Sequence, residues 1–211
     1  CTQLRSINFP NLTNIDSNAF YDCTNLTDIN LPNVTSIGDS VFYYCTQLQT
    51  INFPNLIDMG NNCFTSNSNL KSINLPKIKN MNSSIPSNVL YLNIPNIEYA
   101  CSSCFYNTRF KEFNFPKLLV ADNNAFSACY FLKEVNLPKL TNLGNYAFSN
   151  CYNLTHINAT KLTDIGLYAF QNCYNLTHIN ATKLTDIGLY AFQNCYNLTH
   201  INATKLTDIG L

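Results

Sequence analysis

Apolar residues recur along this chain at fixed offsets that match no helical period. In the first copy they are Leu4, Ile7, Phe9, Leu12, Ile15, Ala19, Phe20 and Cys23, and the same offsets return downstream as Leu154, Ile157, Ala159, Leu162, Ile165, Ala169, Phe170 and Cys173. The piece "INFP" alternates. Ile7 and Phe9 are expected to face inward and Ser6, Asn8 and Pro10 outward, which predicts a short strand. The following "LTNIDSNAFYDC" is too short and too polar for a long helix. It predicts a turn, a second extended or irregular segment, and a short helical turn around Ala19 and Phe20.

One such copy cannot enclose a core. Stacked copies can, because each Leu, Ile and Phe then sits on its equivalent one strand spacing away, about 4.8 Å. The repeat runs through the whole chain. Its marker is a proline at Pro10, Pro32, Pro54, Pro76, Pro95, Pro116 and Pro138, replaced by Thr160, Thr182 and Thr204, which makes ten copies. The spacing is 22 residues except after Pro76, where it is 19, and after Pro95, where it is 21. Residues 77–110, with "NSSIPSNV", are therefore the expected irregular zone. From 151 onward the copies are nearly identical: residues 151–172 recur unchanged at 173–194 and begin again at Cys195. A period in this range replaces a globular reading with a solenoid. The expectation is one solenoid over residues 1–211 with about ten strands. Both ends fall inside a repeat and no Met opens the chain, so it reads as a fragment of a longer array, with neighbouring repeats of the same chain as possible partners.

The pattern CxxLxxIxLPxLxxIGxxAFxx, visible in "CTNLTDINLPNVTSIGDSVFYY", resembles the Treponema pallidum-type leucine-rich repeat of BspA-like surface proteins. The resemblance covers Cys1 to Leu211 and rests on the "LP", "IG" and "AF" signatures. Ordinary leucine-rich repeats carry LxxLxLxxN with an inward Asn, where this chain places Pro. The resemblance implies a curved right-handed coil with a parallel sheet on its concave face, and short strands, turns and 3-10 turns on the other side. It also implies a cell-surface role in adhesion or host interaction. Departures are Asn82 and Cys101 in the Gly column, Pro86 in place of the Phe and Cys, and Thr for Pro in the last three copies.

Composition narrows the function. The 211 residues are 46% hydrophobic, enough for a large core, and 12 basic residues balance 12 acidic ones. No net charge is available to attract nucleic acid or an anionic membrane. No apolar run approaches the roughly 18 to 20 residues of a bilayer span, and no basic-then-apolar leader opens the chain. Membrane contact is not expected from this stretch.

Of the ten cysteines, Cys1, Cys23, Cys45, Cys129, Cys151, Cys173 and Cys195 share one column, which marks a packing position. Their Cα atoms are close enough for disulfides, but parallel side-chain directions oppose the bond, so buried free thiols are expected. Cys63 and Cys104 share the Ala column about 10 Å apart, too far to bond. Cys101 and Cys104 make the only CxxC. A redox reading would need a thioredoxin-like context and a zinc reading a second ligand pair, and the sequence has neither. A local disulfide there stays open.

The three histidines, His156, His178 and His200, stand in one outward column, preceded there by Glu112 and Glu134. Duplicating one repeat duplicates its His, so the row needs no metal to explain it, and the column alone completes no tetrahedral set. With six glycines there is no phosphate loop, and no Ser, His and Asp arrangement accompanies the row. Neither cofactor nor catalysis is expected. All ten copies carry an outward Asn: Asn8, Asn30, Asn52, Asn74, Asn93, Asn114, Asn136, Asn158, Asn180 and Asn202. Such a stack can bond amide to amide, and it also offers neutral donors and acceptors to a ligand. Beside it run a lysine column, Lys77, Lys117, Lys139, Lys161, Lys183 and Lys205, and an acidic column, Asp164, Asp186 and Asp208. Tyr130, Tyr152, Tyr174 and Tyr196 form a further row. Sequons occur at Asn11, Asn25, Asn33, Asn82, Asn153, Asn158, Asn175, Asn180, Asn197 and Asn202. They modestly favour a secreted route, although glycans on the concave Asn row would collide.

The sequence thus points to a non-enzymatic extracellular or cell-surface repeat domain that binds a protein or glycan along its concave face. The candidate face is Glu112, Asn114, Glu134, Asn136, His156, Asn158, His178, Asn180, His200 and Asn202, with Lys139, Lys161, Lys183 and Lys205 as its edge. The alternative is an intracellular structural or scaffolding repeat, or a consensus-like repeat, which the unpaired cysteines of a reducing compartment fit equally well.

Overall fold

In the computed structural model, which describes residues 1–210, the chain forms two compact units, Cys1–Asn96 and the unit beginning at Ile97. Each is a stack of coils, and each coil contributes one strand to a row of three-residue strands and one to a row of two-residue strands. In the second unit the three-residue strands Glu112–Asn114, Glu134–Asn136, His156–Asn158, His178–Asn180 and His200–Asn202 form one parallel sheet. The two-residue strands run from Tyr99–Ala100 to Asp208–Ile209, also parallel and in register. In the first unit, Ser6–Asn8 pairs with Asp28–Asn30, and Thr50–Asn52 pairs through Ser72–Asn74 to Tyr91–Asn93. Identical registers follow from the repeat: a slip of one residue would turn every buried Ile to solvent.

The apolar offsets fill the coil interior. Leu154, Ile157, Ala159, Leu162, Ile165, Ala169, Phe170 and Cys173 are all buried. Phenylalanines form the central file of the second unit, with Phe126, Phe148 and Phe170 stacked at centroid distances of 4.8 and 5.5 Å. Phe9 departs from the expectation and is 49% exposed, because it lies in the first coil and has a neighbouring coil on one side only.

The short helical turn expected around Ala19 and Phe20 does not form, and no 3-10 helix occurs among the described residues. Each regular coil instead carries a run of turns with two left-handed residues four positions apart, such as Asn18 and Asp22, or Tyr146 and Asn150. The reason is the bonding between coils. A helix would use its N–H groups within the coil. Here the N–H groups of Tyr146, Phe148 and Asn150 donate to Leu167, Ala169 and Gln171 of the next coil at 2.8, 2.7 and 2.8 Å. Only the alternate ones close turns within the coil, as Ser149 N–H does on the Tyr146 carbonyl at 3.0 Å. The glycine preceding this run serves close approach, since none has positive φ. A Cβ on Gly166 would lie 2.5 Å from the carbonyl carbon of Gly144.

The cysteine column behaves as packing. Cys23, Cys45, Cys129, Cys151 and Cys173 are buried, and none of the ten cysteines is disulfide-bonded. From Cys45 on, the column thiols also find an acceptor one coil back: Cys151 donates to the Phe126 carbonyl and Cys173 to that of Phe148, both at 3.1 Å. That carbonyl already accepts the N–H of the cysteine in its own coil, so both lone pairs are used. Burial pushes the Cys45 thiol up to about 12.

The shortened coil after Pro76 replaces backbone bonds with side-chain ones. Ser83 Oγ accepts the N–H of Phe64 at 3.2 Å, and Asn88 Nδ2 donates to the carbonyl of Leu70 at 2.5 Å. Ile85 and Val89 are buried in this coil, whose Phe position is held by Pro86. Asn67, fully buried beside it, accepts the N–H of Cys45 at 2.9 Å, while its Nδ2 has no partner among the described residues.

Candidate recognition face

In the second unit the parallel register sets Glu112, Glu134, His156, His178 and His200 side by side, and likewise Asn114, Asn136, Asn158, Asn180 and Asn202. Alternation puts both rows on the outer face of the sheet, flanking the inward Phe113, Val135, Ile157 and Ile179. All ten residues singled out from the sequence are brought together there. They line one shallow depression of about 660 Å³. Lys139, Lys161, Lys183 and Lys205 are exposed and lie outside its lining.

The asparagines bond to one another. Nδ2 of Asn136, Asn158, Asn180 and Asn202 donates to Oδ1 of the preceding asparagine at 3.1, 3.2, 3.3 and 3.4 Å. An amide inside this row spends one of its two N–H groups and one of two lone pairs. One donor and one acceptor per coil remain for a ligand. The row is both scaffold and surface.

The imidazoles stack, His156 on His178 at 5.4 Å and His178 on His200 at 4.9 Å, with planes 9° and 3° apart. Neighbouring threonines orient them: the Nδ1 atoms of His156 and His200 lie 2.9 Å from the hydroxyls of Thr155 and Thr199. Parallel rings keep their nitrogens from converging on one ion, and no metal-competent cluster of three His, Cys, Asp or Glu occurs among the described residues. Two carboxylates side by side, Glu112 and Glu134, make one end of the depression acidic. In the first unit the matching strand positions are Ser6, Asp28, Thr50, Ser72 and Tyr91, and a depression of about 380 Å³ lies over Asp28 and Thr50.

Two aromatic rows run elsewhere on the second unit. Tyr130, Tyr152, Tyr174 and Tyr196 stack at 5.2, 5.1 and 5.8 Å, as the repeat suggested. Sequence reasoning missed the other, Tyr146, Tyr168 and Tyr190, stacked at 5.1 Å. These three hold φ of 56, 52 and 54°, a conformation unfavourable for a bulky side chain. Their 22-residue spacing was legible, and their left-handed backbone was not.

Six of the sequon asparagines outside the strand row bond a backbone carbonyl one coil back. Nδ2 of Asn153, Asn175 and Asn197 donates to the carbonyls of Tyr130, Tyr152 and Tyr174 at 2.6, 2.9 and 2.7 Å. Asn25, Asn33 and Asn82 make the same kind of bond to Thr2, Pro10 and Met59. A glycan attached to that nitrogen would compete with the coil-to-coil bond. Asn11 is exposed and has no such bond.

Parallel in-register coils with one Leu, Ile and Phe file define a leucine-rich-repeat solenoid. The chain belongs to the BspA type leucine rich repeat region family, whose repeats match residues 1–103 and 98–211. Among solved structures it is similar to a leucine-rich repeat protein from Bacteroides ovatus, at 23% identity and a TM-score of 0.59, over 99% of this chain and 54% of that one. The chain thus spans about half the length of that relative. It is also similar to a leucine rich cell surface protein from Faecalibacterium prausnitzii, at 20% identity and a TM-score of 0.46, over 100% of this chain and 78% of that one. A leucine-rich repeat protein of T. pallidum matches at 20% identity and a TM-score of 0.38, over 92% of this chain and 78% of that one. No curated protein matches the sequence. No helix among the described residues is long and apolar enough to cross a membrane.

Proposed function

We propose that this chain is a non-enzymatic recognition domain of an extracellular or cell-surface protein, binding a protein or glycan ligand along the outer face of the three-residue strands in the second unit. The observation that carries this reading is the depression itself, in which rows of amides, imidazoles and carboxylates repeat at one strand spacing under one continuous surface. An amide row with a spare donor and acceptor per coil suits the hydroxyl and amide groups of extended polymers. The family resemblance supports the surface location. A second reading, a structural repeat in a reducing compartment, is favoured by the ten free cysteines.

The test is a glycan array together with a panel of purified secreted proteins, followed by variants measured on any binder. Replacing His156, His178 and His200 together with Gln is expected to weaken binding by about tenfold or more. Replacing Lys161, Lys183 and Lys205 with Gln should mainly change salt dependence and association rate. Binding that ignores both sets and is lost when Tyr152, Tyr174 and Tyr196 become Ala would move the site to the tyrosine row.

A further inference from the structure

The CxxC of the second unit departs from the repeat twice within one coil. Cys101 takes the Gly column and Cys104 the Ala column. A turn brings them together: the N–H of Cys104 donates to the carbonyl of Cys101 at 3.1 Å. A turn closed in this way holds its first and fourth Cα atoms within about 7 Å, a range that includes disulfide separations. Cys104 is buried and Cys101 half-buried, so Cys101 is the member of the pair with surface open to solvent.

The buried column cysteines differ on both counts. Cys129 and Cys151 are fully buried, and Cys129 is held by the Thr108 hydroxyl at 3.3 Å and the Phe105 carbonyl at 3.0 Å. Their side chains run parallel from stacked coils, whereas Cys101 and Cys104 belong to one turn. From these contacts we infer that Cys101 and Cys104 form a thiol–disulfide exchange site for low-molecular-weight disulfides, with Cys101 as the attacking sulfur and Cys104 as the resolving one.

The hydrogen bond from Cys104 holds the Cys101 thiol below its ordinary value, while burial raises Cys104 well above its own. Asp122, whose carboxylate accepts from the Tyr99 hydroxyl at 3.1 Å, opposes the lowering of Cys101. The Cys101 thiolate attacks one sulfur of the small disulfide, a mixed disulfide forms, and one small thiolate leaves. Cys104 then gives up its proton and attacks the Cys101 sulfur, the protein disulfide forms, and the second thiolate leaves. Two protein thiols are oxidised, one disulfide is reduced to two thiols, and the two protons end on the released thiolates. A thioredoxin-like fold is not required for this, because the turn alone sets a half-exposed cysteine and a buried one within disulfide range.

Glutathione disulfide is the probe, with the whole folded chain as substrate. Trypsin cuts after Lys79 and Arg109, so one peptide, residues 80–109, carries these two cysteines and no other. In the wild type that peptide is expected to lose the mass of two hydrogens while Cys23, Cys45, Cys129, Cys151 and Cys173 stay reduced. Cys104→Ala should instead retain one glutathione, and Cys101→Ser should neither cross-link nor retain it. Iodoacetamide should modify Cys101 in the native wild type at least about tenfold faster than the buried column cysteines Cys23, Cys45, Cys129, Cys151 and Cys173. A peptide 80–109 that stays reduced in the native chain yet oxidises after denaturation would overturn the assignment. So would alkylation of Cys101 no faster than that of Cys23, Cys45, Cys129, Cys151 and Cys173. The wild-type measurements decide the matter even if a variant fails to fold.

Discussion

Phe148 is the ring on which the second unit should depend most. It is fully buried and stacks on Phe126 at 4.8 Å and Phe170 at 5.5 Å, with planes 5° and 2° apart. Burying a phenyl side chain contributes about 1.5–3 kcal/mol, and each stacked pair adds about 0.5–1.5 kcal/mol. Phe148→Ala should therefore cost about 4 kcal/mol, inside the 3–5 kcal/mol typical of Phe→Ala in cores. With a urea slope of about 2 kcal/mol per molar, the midpoint falls by about 2 M. Phe192 stacks on one ring, Phe170, and is only part-buried, so Phe192→Ala should move the midpoint by about half as much. The chain has no Trp, so strand circular dichroism is the readout. Equal shifts for the two variants would refute the reasoning, because they would mean that stacking on both sides contributes nothing beyond burial at the end of the file.

Three further outcomes are expected. Gly166→Ala should destabilise the second unit by about 1–3 kcal/mol, because its Cβ would meet backbone at 2.5 and 2.6 Å, whereas the exposed Lys161→Ala should leave thermal unfolding nearly unchanged. Cys45 and Cys195 keep their protons up to about 12 in the folded chain against an ordinary 9.0. The unfolded chain loses them first, so this contribution is complete below about pH 9 and declines as pH rises toward 12; urea midpoints across that range check it, and Cys45→Ala should flatten the decline. Hydrogen exchange should open residues 77–110 before residues 151–194, since the shortened coil relies on Ser83 and Asn88 side chains and lies beside Asn67, whose Nδ2 has no partner among the described residues. Uniform protection would count against that.

The candidate face was unusually legible, because a 22-residue period carries its own register. Once Ile157 and Ile179 are known to stack, His156, His178 and the flanking asparagines must align. The cysteine column was readable for the same reason. The second asparagine row was not, because a sequon such as Asn153 looks the same whether its amide faces water or bonds the Tyr130 carbonyl one coil back.

The sequence by itself determined the strand periodicity, the identity of the buried files and the family, since each depends on residue type at a fixed offset. Only the tertiary structure decided the backbone of the turn run. The pattern around Ala147 and Phe148 suits a helical turn locally, but the coil gains more when Tyr146, Phe148 and Asn150 send their N–H groups to the next coil. That preference for left-handed Tyr146 and Asn150 arises from neighbours 21 residues away in the chain, and no local pattern records it. The meeting of Cys101 with Cys104 is the same kind of fact. CxxC spacing permits many geometries, and the turn that closes on the Cys101 carbonyl selects one.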